Sequence, residues 1–279
     1  MPSHPSSITP AMSDMSYRGL LSLQGRVFVV LGAGQGIGEQ VSHALSECGA
    51  TVVCVDSDPW RAQAVAETVH GIPVSADITQ ASDMERVFQT ASALPASGPL
   101  GLVDVVGMVI PNDLTHGTES GWSRQFQLVL DHAWLAMRVG ARAMQGRGGS
   151  MVFIGSIAGT VVRSGAALAY ASAKAALHHL VKGVAQDLAP QGIRVNAVAP
   201  GLTRTPRLVA SNPDSFWTTE AARIPLRRVG MPSDIAAAVL FLSSPLADFV
   251  TGQILAVDGG SSLASGGGFN LAASGPAPT

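Results

Sequence analysis

Tyr170 and Lys174, in the run Tyr-Ala-Ser-Ala-Lys, carry the clearest chemistry in this 279-residue chain. Spaced i, i+4 in a helical segment, they share one helix face. A free phenol has a pKa near ~10 and is a poor base at neutral pH. A nearby ammonium favours the phenolate and lowers that value. So paired, Tyr170 can take a proton from an alcohol or give one to a carbonyl. Ser156, in Phe-Ile-Gly-Ser-Ile-Ala-Gly, closes an apolar run of the kind that ends at the active edge of a parallel sheet. Its hydroxyl is placed to hold a substrate oxygen. A serine-hydrolase reading fails, because this segment is not G-x-S-x-G and no Asp/His pair follows in the expected places.

A second group of residues would bind rather than react. Gly32, Gly34, Gly36 and Gly38, with Gln35 and Ile37 between them, join an apolar strand to a helix. The chain must turn sharply there and approach a ligand closely, which glycine permits. The helix N-terminus then presents free N–H groups and partial positive charge to a pyrophosphate. The spacing is G-x-x-x-G-x-G rather than the usual G-x-G-x-x-G. Asp56 ends the second strand, eighteen residues after Gly38. An acid at this distance accepts hydrogen bonds from adenosine ribose hydroxyls and repels a 2′-phosphate. Ser57 and Asp58 follow, with no Arg or Lys before Arg61, so the expected cofactor is NAD.

The elements that must position these groups are legible as alternating strands and helices. Strands are expected at 26–31, 51–56, 72–76, 102–107, 150–155, 193–199 and 253–257. Helices are expected at 36–48, 59–70, 81–93, 119–145, 168–189 and 231–243. Near-continuous apolar strands separated by helices require a parallel sheet covered on both faces. The predicted fold class is therefore α/β, one doubly wound parallel sheet of about seven strands, Rossmann-like. One domain spans 20–260. Residues 1–19 and 261–279, rich in Pro, Gly and Ser, are expected to be a flexible arm and tail.

Composition removes other classes. Lys+Arg 17 against Asp+Glu 19 gives a net charge of -2, so nothing favours nucleic acid or an anionic membrane. No apolar run reaches the ~18–20 residues of a membrane span. Two cysteines exclude a disulfide framework, and the seven histidines lack metal-ligand spacing, so no metal is expected. A cytoplasmic location is the default.

Taken in order along residues 22–260, the motifs resemble those of the classical short-chain dehydrogenase/reductase family. LGAGQGIG resembles TGxxxGIG, and Tyr170 to Lys174 matches YxxxK. The resemblance implies that Ser156 is the catalytic serine. It implies that Asp77, followed by Ile78, contacts adenine. It assigns Asn196, Pro200, Gly201, Thr203 and Thr205 to the segment that holds the nicotinamide, and it makes Lys174 hold the nicotinamide ribose. The chain departs from the family in three places. NNAG appears as Asp104-Val105-Val106-Gly107, where only Gly107 survives. The helix Asn of the catalytic set is Val129. Ser156 precedes Tyr170 by one residue more than usual, an excess assigned to the loop 160–169. In the family the Asn bends its helix and its carbonyl binds a water that reaches Lys. With valine, a relay through Lys174 either persists rearranged or is lost.

The segment 206–228 carries Leu208, Val209, Phe216, Trp217, Ile224 and Leu226 and corresponds to the family's substrate lid. Its apolar content points to a hydrophobic alcohol or ketone. Low charge and the two long helices predict a homotetramer or homodimer. His178 and His179 read as interface or surface, and Trp122 and Trp134 as core or interface. Two functions stay open: an NAD-dependent oxidoreductase, or an NAD-binding protein with little turnover and a regulatory or assembly role.

Overall fold

In the computed structural model, residues 16–161 and 167–263 are described. Apart from residues 16–19 and 261–263, the expected arm and tail lie outside them. Seven strands form one parallel sheet in the order β3-β2-β1-β4-β5-β6-β7. They are β1 (Val27–Leu31), β2 (Thr51–Asp56), β3 (Ile72–Ser75), β4 (Leu100–Asp104), β5 (Gly149–Ile154), β6 (Ile193–Pro200) and β7 (Ile254–Val257). The helices are α1 (Ile37–Glu47), α2 (Pro59–Val69), α3 (Ala81–Ala93), α4 (Glu119–Phe126), α5 (His132–Met144), α6 (Leu168–Leu188), α7 (Pro206–Ser211), α8 (Asp214–Arg223) and α9 (Pro232–Ser243).

Strand side chains alternate between faces. Val27, Val29 and Leu31 pack with Met84, Phe88, Met137 and Leu177 from α3, α5 and α6. Phe28 and Val30 pack with Val41, Leu45, Ile235 and Val239 from α1 and α9. This two-sided burial explains why the strands read as unbroken apolar runs. Gly101 pairs with Phe28 across the β1–β4 ladder, and a Cβ there would strike the phenyl ring.

Three expectations need correction. The fourth strand begins two residues early and stops at Asp104, not Gly107, because the Asp104 carboxylate accepts the Val106 amide at 3.0 Å and takes it out of the ladder. The expected helix 119–145 is interrupted at Gln127–Asp131 by a π-turn, in which the His132 amide reaches back five residues to the Gln127 carbonyl. The lid, given no elements from sequence, contains α7 and α8. Other boundaries agree within a residue.

Candidate active site

The strand order reverses at β1, so the chain diverges on either side of the β1–β4 junction and leaves a groove at the carboxyl ends of the strands. One end of that groove is a cavity of about 530 Å³ lined by Gly32, Gln35, Gly36, Ile37, Asp56, Asp77, Ile78 and Gly107. The other, about 500 Å³, is lined by Ser156, Tyr170, Lys174, Pro200, Gly201 and Thr203. Ile37, Val105, Gly107, Met108, Thr205 and Arg207 border both, so the two are continuous.

The first end is built by backbone. Gly36 stands at φ 63° just before α1, a conformation that side chains disfavour. Gly34 and Gly38 line neither cavity. Gly34 instead donates its N–H to Asp56 Oδ2 at 3.0 Å, and a Cβ on Gly38 would run into the Gly32 carbonyl. These two glycines shape the loop, and the α1 amides are left facing the cavity. Asp56 also accepts from Asp58 N at 3.0 Å. Arg61 lines the same cavity, tethered to Asp58 at 3.4 Å, so the region beside Asp56 is not free of positive charge as the sequence suggests. Asp77 accepts from the Thr79 hydroxyl at 2.7 Å and its amide at 3.0 Å; these bonds hold its carboxyl below the usual range. A dinucleotide fits this cradle: glycines at positive φ or packed tightly on their neighbours, a helix N-terminus, and a carboxylate beside the loop.

The second end is built by side chains. Tyr170 and Lys174 project from one face of α6, with the Lys174 ammonium 5.6 Å from the centre of the Tyr170 ring. Lys174 is fully buried and donates to the Ile154 carbonyl at 2.6 Å. Burial pulls its pKa down to about 8, and the Asp104 charge acts in the opposite direction. Burial pushes the Tyr170 hydroxyl up from its ordinary value, and the Ser156 hydroxyl pulls it partly back. Desolvation is the leading influence on both groups. Ser156 Oγ accepts from Ala158 N at 3.1 Å, which fixes the turn Ile157–Gly159 after β5.

Two further readings change. Asn196 lines neither cavity. It is wholly buried in β6, donates to the Val250 carbonyl at 2.9 Å and accepts from Gln253 N at 3.0 Å, clasping β6 to the approach of β7. His178 is neither surface nor interface: it is 5% exposed and lies under the Ser156 turn. Its Nε2 accepts from Ser156 N at 3.4 Å, and side chains at Gly155 or Gly159 would collide with its ring. Burial, with the charges of Lys174 and Lys182, lowers its pKa to about 4. The i, i+4 spacing from Lys174 was the available signal for it. Trp122 and Trp134 are about half exposed, so neither fills the core of this chain. The loop expected to absorb the extra residue lies largely outside the described residues.

Val129 is completely buried inside the π-turn, so the helix is deformed at this position without an asparagine. Among the described residues there is no cluster of three or more metal-ligating side chains, and no helix is long and apolar enough to cross a membrane.

Comparison with known proteins agrees with this geometry. A family model described as Enoyl-(Acyl carrier protein) reductase matches residues 32–262. Galactitol 2-dehydrogenase (L-tagatose-forming) of Cereibacter sphaeroides is 35% identical over 251 residues, covering 88% of this chain and 98% of that protein. Cis-4-hydroxycyclohexanecarboxylate dehydrogenase of Sinomonas cyclohexanicum is 36% identical over 245 residues, covering 84% and 96%. A solved 7 alpha-hydroxysteroid dehydrogenase, complexed with NADH and 7-oxo glycochenodeoxycholic acid, superimposes with a TM-score of 0.82 at 30% identity, covering 88% and 98%. With the sheet order, the glycine loop and the Ser156–Tyr170–Lys174 cluster, these matches make the chain a member of the short-chain dehydrogenase/reductase family, an oxidoreductase acting on CH–OH and C=O groups.

Proposed function

We propose that the protein interconverts a secondary alcohol with an apolar body and its ketone, using NAD. The carrying observation is that Ser156, Tyr170 and Lys174 line the same continuous groove as the glycine loop and Asp56. When bound, the dinucleotide supplies the hydride acceptor or donor. Gly32 to Gly38 and the α1 N-terminus would hold its pyrophosphate, Asp56 its adenosine ribose, and Asp77 and Ile78 its adenine. Pro200, Gly201, Thr203 and Thr205 would bound the nicotinamide, with Lys174 at its ribose. Asp56 supports NAD over NADP, because a carboxylate repels a 2′-phosphate.

Ser156 holds the substrate oxygen while Tyr170 Oη exchanges a proton with it. Burial keeps that hydroxyl protonated at neutral pH, the form that donates to a carbonyl. Oxidation needs the phenolate, so its rate rises with pH while reduction falls as Tyr170 ionises. Met108, Val109, Ile157, Leu208 and Phe216 support an apolar substrate, with Lys174, Arg207 and Glu220 the charged residues bordering the cavity. An exposed groove of Leu130, Trp134, Ala176 and Leu180 on α5 and α6 supports assembly as a homotetramer or homodimer. Two unpaired thiols, Cys48 and Cys54, are in keeping with a cytoplasmic location. The test is a panel of hydrophobic secondary alcohols with NAD, followed by reduced-cofactor absorbance. Turnover that Tyr170→Phe abolishes supports the reading. Tight NAD binding without turnover favours the regulatory alternative, for which Val129 and the altered 104–107 segment speak.

A further inference from the structure

Behind Lys174 lies a buried ionisable pair that the reaction described above does not use. Asp104 ends β4 and His132 begins α5, with side chains 2% and 1% exposed. The imidazole Nε2 lies 3.0 Å from one Asp104 oxygen and 3.3 Å from the other. Nδ1 lies 3.3 Å from the carbonyl of Gln127, the first residue of the π-turn. Asp104 Oδ1 accepts from Val106 N, while Oδ2 finds no well-directed donor among the described residues. A buried carboxylate so placed is costly unless positive charge stands near it.

That charge comes from Lys174: Asp104 pairs with Phe153 in the β4–β5 ladder, and the next residue, Ile154, holds the ammonium by its carbonyl. The ammonium packs so closely on Gly107 that a Cβ there would lie 2.9 Å from Nζ. The ionisable groups around it are Tyr170 and His178 on its own helix and Asp104 on β4, with His132 behind the carboxylate; β5 offers only the Ile154 carbonyl. Asp104 is the one acid in that set.

Building on the proposed reaction, we propose that Asp104 and His132 are positioning residues for Lys174. Asp104 is the fixed counter-charge that holds the ammonium in its charged form, and His132 ties this carboxylate to the π-turn in a chain with Val129 at the turn's centre. Part of the proton-handling apparatus is thereby anchored in the 104–107 segment, where the family's asparagines are absent.

The chain has two lysines, Lys174 and Lys182, so the test reads one buried and one second lysine directly. Protein carrying 13C-labelled lysine at the ε-carbon is titrated by NMR without cofactor or substrate. The Lys174 signal of the unmutated chain should titrate near about 8. Asp104→Asn, which keeps the shape and removes the charge, should lower that midpoint by about one pH unit or more, a tenfold change in the proton equilibrium. His132→Leu should lower it by less, and His132→Gln, which keeps a donor toward the carboxylate, should restore most of the difference. The Lys182 signal should stay in place throughout. An unmoved or raised Lys174 midpoint in Asp104→Asn overturns the proposal; if that variant does not fold, an unmoved midpoint in His132→Leu overturns it. Because no substrate is present, failure here is distinct from failure of the oxidoreductase reading, which the alcohol panel decides.

Discussion

At the glycine-loop end of the groove, the binding loop is main chain: four glycines, of which Gly32 and Gly36 reach the cavity, the start of α1, and one carboxylate held by the N–H groups of Gly34 and Asp58. At the Tyr170 end the reacting groups are side chains, and Lys174 is backed by the buried Asp104, His132 and His178, which lie behind the cavity rather than in its wall. The first region tolerates little change in residue type, because a Cβ on Gly38 meets the Gly32 carbonyl, one on Gly34 meets the Asp56 side chain, and Gly32 and Gly36 stand at positive φ. The second admits substitution wherever a neighbour supplies the missing charge or donor. The departures from the family motif at Asp104 and Val129 fall behind the Tyr170 end, whereas Val105 and Val106 border the glycine-loop cavity.

The largest expected effect breaks the side-chain end. Tyr170→Phe keeps the ring and should lower kcat by about 10²–10⁴-fold with little change in NAD affinity. Lys174→Ala should lose both kcat and cofactor affinity, measured by steady-state kinetics beside NADH fluorescence titration. Next comes the main-chain end. Asp56→Arg should move preference from NAD toward NADP by roughly 1–3 kcal/mol, about ten- to a hundredfold in the ratio of kcat/KM values. An unmutated enzyme that uses both cofactors equally would show that Arg61 already balances Asp56.

Acid stability gives a smaller and separate handle on the side-chain network. His178 is held neutral in the folded state, near about 4, while the unfolded chain takes its proton near 6.5. Stability is therefore full above about 6.5 and is lost as pH falls toward about 4, by roughly 2–3 kcal/mol. His178→Leu should flatten that part of a urea-unfolding series, and an unchanged pH slope would count against the buried, neutral imidazole. Val129→Asn carries the smallest expected effect. The π-turn already exists, so an asparagine adds a buried polar group and should cost about 1–3 kcal/mol without raising turnover. A clear gain in kcat would show instead that the turn lacks a side-chain bond.

The difference in materials also decides what the sequence makes legible. The sheet, its helices and the cradle of Gly32 to Gly38 are written locally, in apolar runs and glycine spacing. Asp56 is found by its distance from the loop. The pair at 170 and 174 is found by helix periodicity. His178 was not read as part of the site, because the groups it touches come from a strand end far along the chain. Asn196 fits a motif yet serves as a clasp, since its partners Val250 and Gln253 come from a distant loop. Asp104 and His132 are invisible until the sheet brings β4 and α5 together. Burial, which periodicity does not measure, is the leading influence on both Tyr170 and Lys174.

The register of β1 has a consequence for assembly in time. Val27 pairs with Thr51 on one side and with Leu100 on the other. A growing chain therefore reaches the glycine loop and Asp56 early, but β1 remains an open edge until β4 is made. Such long-range parallel pairing is slow to form, and unpaired edges invite association. Val105 and Val106, which line the groove beside Gly32, also follow β4. A nascent chain halted before Leu100 thus carries the glycine loop on an incomplete sheet, and a dinucleotide can act as a folding ligand only once β4 has inserted.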